Sequence, residues 1–440
     1  MKRVNIGICG LGTVGGGTFN VISENLKEIN ARAQCEVSIA QVGARRDNPA
    51  CDTSSINVSR DIFDVAKNPD IDLVVELIGG TTVAKTLVET AIQHGKHVVT
   101  ANKALIAEFG NELFALADKH NVSVSYEAAV AGGVPIISAL RDGLSANKVE
   151  WLAGIINGTG NFILTEMRDK GRDFADVLAE AQALGYAEAD PTFDVEGIDA
   201  AHKLVILASL AYGMPLQYDK VFCEGISSIE PLDVEFANEL GYRIKHLGIA
   251  RAVEQDGGLS IELRVHPTLI PESRLIANVD GVMNAVLVKG NAVGPTMFYG
   301  AGAGAKPTAS AVISDIVRVA RSLSAGAALE SMTPSLGFTP SALQDLPVLG
   351  IEEAETAYYL RVAVEDRPGA LSQLAQILSD GGISIEALIQ KEPAEGESKV
   401  PVILLTNRVQ EKQMNAAIAL IEALDIVEGD VTRIRVEALK

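Results

Sequence analysis

Acidic residues crowd one short stretch of this chain and run into a helix that carries a lysine. The stretch reads Leu184-Gly185-Tyr186-Ala187-Glu188-Ala189-Asp190-Pro191-Thr192-Phe193-Asp194-Val195-Glu196-Gly197-Ile198-Asp199-Ala200-Ala201-His202-Lys203. Glu188, Asp190, Asp194 and Glu196 lie where glycine and proline interrupt any regular element, and an apolar helix begins at Ile198. Asp199 and Lys203 are four apart on that helix and share a face. On an exposed helix they would be a surface ion pair contributing only ~0.3–0.5 kcal/mol. Residues 204–210 are nearly all apolar, which marks the helix as buried. A buried lysine is costly unless paired, and desolvation lowers its pKa. Such groups gather at functional sites without being confined to them. A paired ammonium can deliver a proton or hold developing negative charge. His202 faces away from Asp199 and reads as a polar core or interface residue rather than a base. Trp151, the single tryptophan, reads as core.

A second constellation opens the chain. The first apolar run ends in Gly10-Leu11-Gly12-Thr13-Val14-Gly15, and a helical pattern follows at once. With 40 glycines in the chain a G-x-G-x-x-G string alone says little. Its place between a strand and a helix makes it a dinucleotide fingerprint rather than a bare turn. Gly10 allows the tight turn, Gly12 lets backbone approach a pyrophosphate, and Gly15 permits close packing of helix on strand. The helix start then offers N–H groups and partial positive charge to phosphate. The second strand ends Val42-Gly43-Ala44-Arg45-Arg46, with no acid before Asp47. An acid there would take the 2′-hydroxyl of NAD, whereas arginine suits a 2′-phosphate. Arg45 and Arg46 therefore favour NADP and leave NAD open.

The acidic segment resembles the signature of homoserine dehydrogenases, which runs Gly-Tyr/Phe-Ala-Glu, Asp-Pro, then Asp, Gly, Asp and Lys at these spacings. Other blocks are similar to that family too: Thr100-Ala101-Asn102-Lys103, Tyr126-Glu127-Ala128-Ala129-Val130-Ala131-Gly132-Gly133-Val134-Pro135, Gly154-Ile155-Ile156-Asn157-Gly158-Thr159, and Gly302-Ala303-Gly304 with Pro307-Thr308-Ala309. The similarity covers about residues 1–323. The resemblance implies reversible reduction of L-aspartate 4-semialdehyde to L-homoserine with NADP or NAD, in threonine and methionine biosynthesis. It makes Lys203 the proton donor, with Lys103 assisting proton transfer or orienting the reactants. Asp199 and Glu188 would hold the substrate's ammonium group, and Asp194 would support that network or cap the turn. The implied cofactor set is Gly10, Gly12, Thr13, Val14, Gly15, Arg45, Lys103, Gly185, Glu188 and Gly304. The resemblance also implies a structural sodium ion on backbone oxygens of Glu127, Val130, Gly132 and Val134, tying two domains together; hard oxygen donors suit such a cation. Without the resemblance this glycine-rich turn reads as a hinge.

The elements that must position these residues alternate in a telling way. Apolar runs at 4–9, 37–42, 73–77, 97–100 and 122–126 are separated by helix-length amphipathic stretches. Short buried strands with helical crossovers give a parallel, doubly wound sheet of Rossmann type. The pattern assigns residues 1–132 to that nucleotide-binding domain, with a helix near 303–323 packing back on it. Residues 133–324 read as an α+β substrate and dimerisation domain, with strands at 149–156, 247–253, 259–265 and 284–288. Residues 325–356, rich in Ser, Pro and Gly, read as a linker. A βαββαβ pattern over 357–440 is a ferredoxin-like split unit. That unit, with Asp366-Arg367-Pro368-Gly369 between strand and helix, resembles an ACT domain. The resemblance implies an amino-acid site at Asp366, Pro368 and Gly369, feedback inhibition by L-threonine, and at least a homodimer, with a homotetramer the alternative. The unit could equally be an assembly element without ligand.

Composition narrows the classes. At 440 residues the chain is too long for one ordinary domain. It is 48% hydrophobic and 21% charged, which excludes wholesale disorder. A formal charge of −20 argues against nucleic acid and anionic membranes as partners. No apolar run approaches the ~20 residues of a membrane span, and no leader pattern precedes the first strand. Cys9, Cys35, Cys51 and Cys223 lack metal-ligand or disulfide spacing and read as reduced packing residues of a cytoplasmic protein. Two rival functions share the scaffold: an amino-acid dehydrogenase releasing ammonia, and a non-catalytic sensor that keeps nucleotide binding. The Glu188, Asp199 and Lys203 set weighs against the first, and intact Lys203 and Lys103 against the second.

Overall fold

The computed structural model describes residues 2–255, 257–326, 332–391 and 399–440. Two compact units share the chain. The first comprises Met1–Gly158, Asp199–Val221 and Val282–Leu346; the second comprises Thr159–Ile198, Phe222–Gly281 and Pro347–Lys440.

The first unit is built on strands β1 (Arg3–Cys9), β2 (Glu36–Gly43), β3 (Asn57–Ser59), β4 (Leu73–Glu76), β5 (His97–Thr100) and β6 (Val124–Ser125), all parallel, in the order β3-β2-β1-β4-β5-β6. Helices α1 (Thr13–Ala33), α2 (Ile62–Lys67), α3 (Thr82–Gln93) and α4 (Lys103–Lys119) make the crossovers. Strands β4 and β5 are buried at every position and are apolar apart from Glu76, His97 and Thr100 at their ends. The order reverses between β1 and β4, the switch point where such sheets take ligands beyond the carboxyl ends of their strands. β3, a three-residue edge strand, carries no apolar run and escapes the sequence pattern. The helix Ala305–Ser324 contributes Val312, Ile316 and Val319 to the core formed by β1, β2 and α1. In the same unit Val149–Ile155, Met283–Gly290 and Gly294–Ala301 pair antiparallel.

The second unit holds a sheet in the order Tyr242–Gln255, Gly258–Pro271, Thr432–Val436, Glu355–Glu365, Lys399–Thr406, Ile385–Gln390. Its last four strands, with helices Ala370–Asp380 and Glu411–Glu422, form the βαββαβ array. The sequence pattern separates this array from the middle of the chain, but the structure gathers it with Thr159–Ile198 and Phe222–Gly281 into one compact unit. The cause is Thr432–Val436, which pairs antiparallel with Glu355–Glu365 and parallel with Gly258–Pro271. The Tyr242–Gln255/Gly258–Pro271 hairpin has 14-residue strands, far longer than the apolar runs in it. Lys245, His246, Glu262, Arg264 and His266 break the apolar pattern yet are buried.

The stretch read as a linker is extended but bound. Tyr126 donates its hydroxyl to the Ser335 carbonyl (2.6 Å), Ser335 donates to the Val124 carbonyl (3.0 Å), and Leu336 is buried. Residues 327–331 of it lie outside the described residues. Among the described residues no helix is long and apolar enough to cross a membrane. Cys9, Cys35 and Cys51 are buried packing residues, whereas Cys223 is exposed, because the two-residue strand that carries it, Phe222–Cys223, is itself poorly covered.

Candidate active site

Helix Ile198–Tyr212 buries every residue from Asp199 to Leu210, charged ones included. Asp199 lies in its first turn, and its two carboxylate oxygens are divided between two lysines. Lys103 Nζ stands 2.6 Å from Oδ1, and Lys203 Nζ stands 2.6 Å from Oδ2. Asn157 Nδ2 also donates to Oδ2 (2.9 Å), and Lys203 donates to the Ile156 carbonyl (2.6 Å). The Asp199 side chain is 4% exposed, that of Lys203 11%, and that of Lys103 33%, so the cluster opens to water on the Lys103 side. Burial alone would raise the Asp199 pKa, but the charges of Lys203 and Lys103 override it and hold the carboxyl far below the usual range. It is an ionised counter-charge at every physiological pH.

Each member arrives by local logic. Lys103 opens α4, whose cap is Asn102; the Asn102 side chain accepts from the Leu105 N–H (3.1 Å). That cap follows β5 directly, so Lys103 stands at the carboxyl edge of the sheet. Ile156 and Asn157 follow the strand Val149–Ile155. The helical spacing in the sequence marks the Asp199–Lys203 pair. Asn157 and the Ile156 carbonyl carry no such signal, since only folding brings that strand end to the helix. His202 Nε2 lies 3.5 Å from Glu108, and its ring packs on Tyr218 with centroids 4.4 Å apart. Burial first, then the charge of Lys103, push the His202 pKa down to about 4, so it is neutral at pH 7.

The glycine turn has the shape the fingerprint demands. Gly10 adopts φ 101°, and a Cβ there would lie 2.6 Å from the Leu77 carbonyl oxygen. At Gly15 a Cβ would lie 1.9 Å from the Gly10 carbonyl oxygen. At Gly12, the N-cap of α1, a Cβ would meet nothing within 4 Å. Packing therefore requires Gly10 and Gly15, while Gly12 keeps open space beside a helix start, as a close phosphate needs. Thr13 and Val14 form the first turn of α1. Gly304, at φ 116°, caps the helix Ala305–Ser324 without a side chain. Arg45 and Arg46 are exposed just after β2, and Arg60 engages Asp47 through both carboxylate oxygens (2.8 and 3.0 Å).

The turn from Glu127 to Val134 is buried except at Gly133, which is half-buried. Ala131 and Gly132 are successive left-handed residues (φ 53° and 49°), which swings their carbonyls out of any regular ladder. A Cβ on Gly132 would lie 2.4 Å from the Gly302 carbonyl oxygen. The Glu127 carboxylate accepts from the Ile137 and Ser138 N–H groups (2.9 and 2.8 Å), so its side chain is committed to the protein. The Val134 carbonyl accepts from the Ile136 N–H (2.8 Å). Among the described residues no group of three His, Cys, Asp or Glu side chains could hold a metal ion. Any cation here would rest on backbone oxygens, which suits a monovalent ion better than a transition metal.

Gly185, Glu188 and Asp194 belong to the second unit. Gly185 has φ 75° and is exposed, Glu188 is exposed, and Asp194 sits in the short helix Thr192–Val195. Also in that unit, Val364 to Ser372 and Gln390 line a cavity of about 330 Å³ around Asp366, Pro368 and Gly369. Gly369 adopts φ 94° as the cap of helix Ala370–Asp380, and Gln390 donates to Asp366 (3.4 Å).

Comparison with known proteins bears on this geometry. Family models described as homoserine dehydrogenase, as homoserine dehydrogenase, NAD binding domain, and as ACT domain match residues 135–317, 10–127 and 358–425 respectively. A homoserine dehydrogenase of Pseudomonas aeruginosa is 63% identical over 439 residues, covering all of both chains. The chain belongs to the homoserine dehydrogenase family. A crystal structure of a homoserine dehydrogenase from Thiobacillus denitrificans matches with TM-score 0.93 at 57% identity, over 100% of this chain and 99% of that one. A hyperthermophilic archaeal homoserine dehydrogenase in complex with NADPH matches with TM-score 0.60 at 26% identity, over 72% of this chain and 97% of that one. As a homoserine dehydrogenase the chain is an oxidoreductase of amino-acid biosynthesis with a nicotinamide-nucleotide-binding domain and an ACT domain. The NAD-binding match takes in the glycine turn and Lys103. The match at 135–317 takes in Asn157, Gly185, Glu188, Asp194, Asp199, Lys203 and Gly304.

Proposed function

We propose that this homoserine dehydrogenase reduces L-aspartate 4-semialdehyde to L-homoserine, reversibly, on the route to threonine and methionine, with Lys203 as the proton donor. The observation that carries the reading is the sharing of one buried carboxylate by two ammonium groups, each at 2.6 Å. The bound nicotinamide supplies the hydride. As the aldehyde carbon accepts it, negative charge grows on the carbonyl oxygen and needs a cation and a proton. Lys203 offers both, held by Asp199 and the Ile156 carbonyl on a side chain that is largely buried. Lys103 fixes the other oxygen of Asp199 and, being a third exposed, is the member through which a proton returns from solvent. In the oxidative direction the same atoms run in reverse. Glu188 and Asp194 bind substrate by the motif alone, as Gly185 does for the cofactor.

The phosphates lie on the glycine turn, and NADP is favoured over NAD. With Asp47 tied to Arg60, no free acid follows β2, while Arg45 and Arg46 are exposed there. The archaeal relative with NADPH agrees with this choice. Sodium is held by the carbonyls of Glu127, Val130, Gly132 and Val134, in a structural role. The ACT cavity takes L-threonine, which inhibits, and the protein is a cytoplasmic homodimer or homotetramer. The domain division of 1–132, 133–324 and 357–440 describes these functions. Initial rates with homoserine and each cofactor, with and without threonine, test the whole reading. Lys203→Ala should abolish oxidation while NADPH still binds; appreciable turnover by that variant would sink the proposal.

A further inference from the structure

Glu76 is a buried carboxylate with no part in the reaction as described. It ends β4, fully covered. Its Oε1 accepts from the Ile78 N–H (2.9 Å) and the Gly79 N–H (3.2 Å), and its Oε2 accepts from the Thr100 hydroxyl (2.5 Å). Two backbone N–H groups and one hydroxyl thus meet its two oxygens. Burial pushes its titration up by more than these hydrogen bonds lower it. A carboxyl group covered in a parallel sheet calls for an explanation.

The hydrogen bonds continue. Thr100 Oγ1 accepts from the Asn102 N–H (2.9 Å), and Asn102 Nδ2 donates to the Gly80 carbonyl (2.6 Å) while its Oδ1 caps α4. The circuit runs from Glu76 through the turn after β4 to Gly80, across to Asn102, and back through Thr100. Gly79 and Gly80 are both left-handed (φ 72° and 71°), a turn two residues with side chains would resist. The next residue after Asn102 is Lys103, whose ammonium meets Asp199.

We propose that Glu76 is a positioning residue: through Thr100 and Asn102 it binds the turn after β4 to the cap of α4, and so sets where Lys103 meets Asp199. This rests on Lys103 belonging to the catalytic set. Thr100→Val removes the hydroxyl at nearly constant shape, Thr100→Ser keeps it, and Glu76→Gln replaces one carboxyl oxygen by an amide NH2. For homoserine oxidation, kcat in Thr100→Val and Glu76→Gln should fall roughly tenfold to a hundredfold, the scale of a small misplacement. KM for homoserine should stay within about threefold, and so should kcat of Thr100→Ser, whose hydroxyl keeps the link to Glu76. Against a Lys103→Arg background, Thr100→Val should add less than about threefold, since the contact it protects is already displaced. Normal kcat in Thr100→Val, equal losses in Thr100→Ser, or the full loss repeated in the Lys103→Arg background each overturn the inference. Should Lys103→Arg itself turn over like the wild type, the role given to Lys103 fails and the inference with it. If Glu76→Gln does not fold, the Thr100 pair carries the same test.

Discussion

One carboxylate between two ammonium groups makes Asp199 the residue on which the site depends for charge as well as geometry. Removing its charge takes from Lys203 and Lys103 the carboxylate they share. Asp199→Asn should therefore cost about 3 kcal/mol or more of stability, as breaking buried pairs does. Lys203→Met should cost less, because Asp199 keeps Lys103 and Asn157. Urea midpoints of the two variants decide the order, and a larger loss for Lys203→Met would contradict it. Acid acts elsewhere first. Asp199 titrates far below the ordinary range, so its contribution persists through mild acid. His202, at about 4 when folded against 6.5 when unfolded, binds its proton only in the unfolded chain between those values. Stability should be full above pH 6.5 and fall as pH drops toward 4. His202→Phe should reduce that slope by up to one proton, leaving the share of buried His97, His246 and His266. Denaturant titrations at pH 7, 6 and 5 measure it. At this scale the sequence displays the Asp199–Lys203 pair because helical spacing is local. The link from Lys103 to Asp199, and the roles of Asn157 and Glu76, depend on strand ends that are remote in sequence, so no periodicity announces them.

Among the elements, the strand–turn–helix at the chain's start separates a glycine that packing requires from one that faces open space. Gly15→Ala would drive a Cβ to 1.9 Å from the Gly10 carbonyl oxygen and must shift α1 from β1. A loss of roughly 1–3 kcal/mol is the usual scale of such overpacking. Gly12→Ala has open space and an ordinary φ of −67°. It should melt like the wild type and yet bind NADPH at least about tenfold more weakly, because backbone can no longer approach the pyrophosphate. Thermal melts paired with fluorescence titration separate the two, and unchanged affinity in Gly12→Ala would count against a phosphate there. The parallel sheet was readable for the same reason that it is stable: strands buried on both faces are mostly apolar runs. The long hairpin of the second unit was readable only at 247–253 and 259–265 and not over its full length, because ion pairs rather than apolar side chains fill parts of its buried surface. Arg264 donates to Glu262 (3.1 Å) and Glu437 (2.5 Å), and Lys245 to Asp280 (3.0 Å).

At the scale of the whole molecule, the C-terminal array looks like a detachable module in sequence, yet its last strand completes another segment's sheet. Thr432–Val436 lies against Gly258–Pro271, and Glu437 just beyond it pairs with Arg264 and Arg251. Arg435 is bound by Glu411 and Glu224, and Asp233 accepts from Tyr359 and Arg361. Tyr359, Ile403 and Ile434 share one apolar core with Phe236, Ile229 and Leu269. A chain ending at Leu346 would strip a strand edge, open that core and leave Arg264, 1% exposed in the intact unit, without its carboxylate partner from the tail. Exposed edges and apolar faces of this kind promote aggregation. The truncated chain should therefore be aggregated or lack cooperative unfolding, rather than behave as a deregulated enzyme. Light scattering and a denaturant transition measure this, and a monodisperse truncation with the melting temperature of the full chain would refute it. Inhibition by threonine must then be sought in the intact chain, because removing the array disturbs the second unit as a whole and cannot isolate the loss of an effector site.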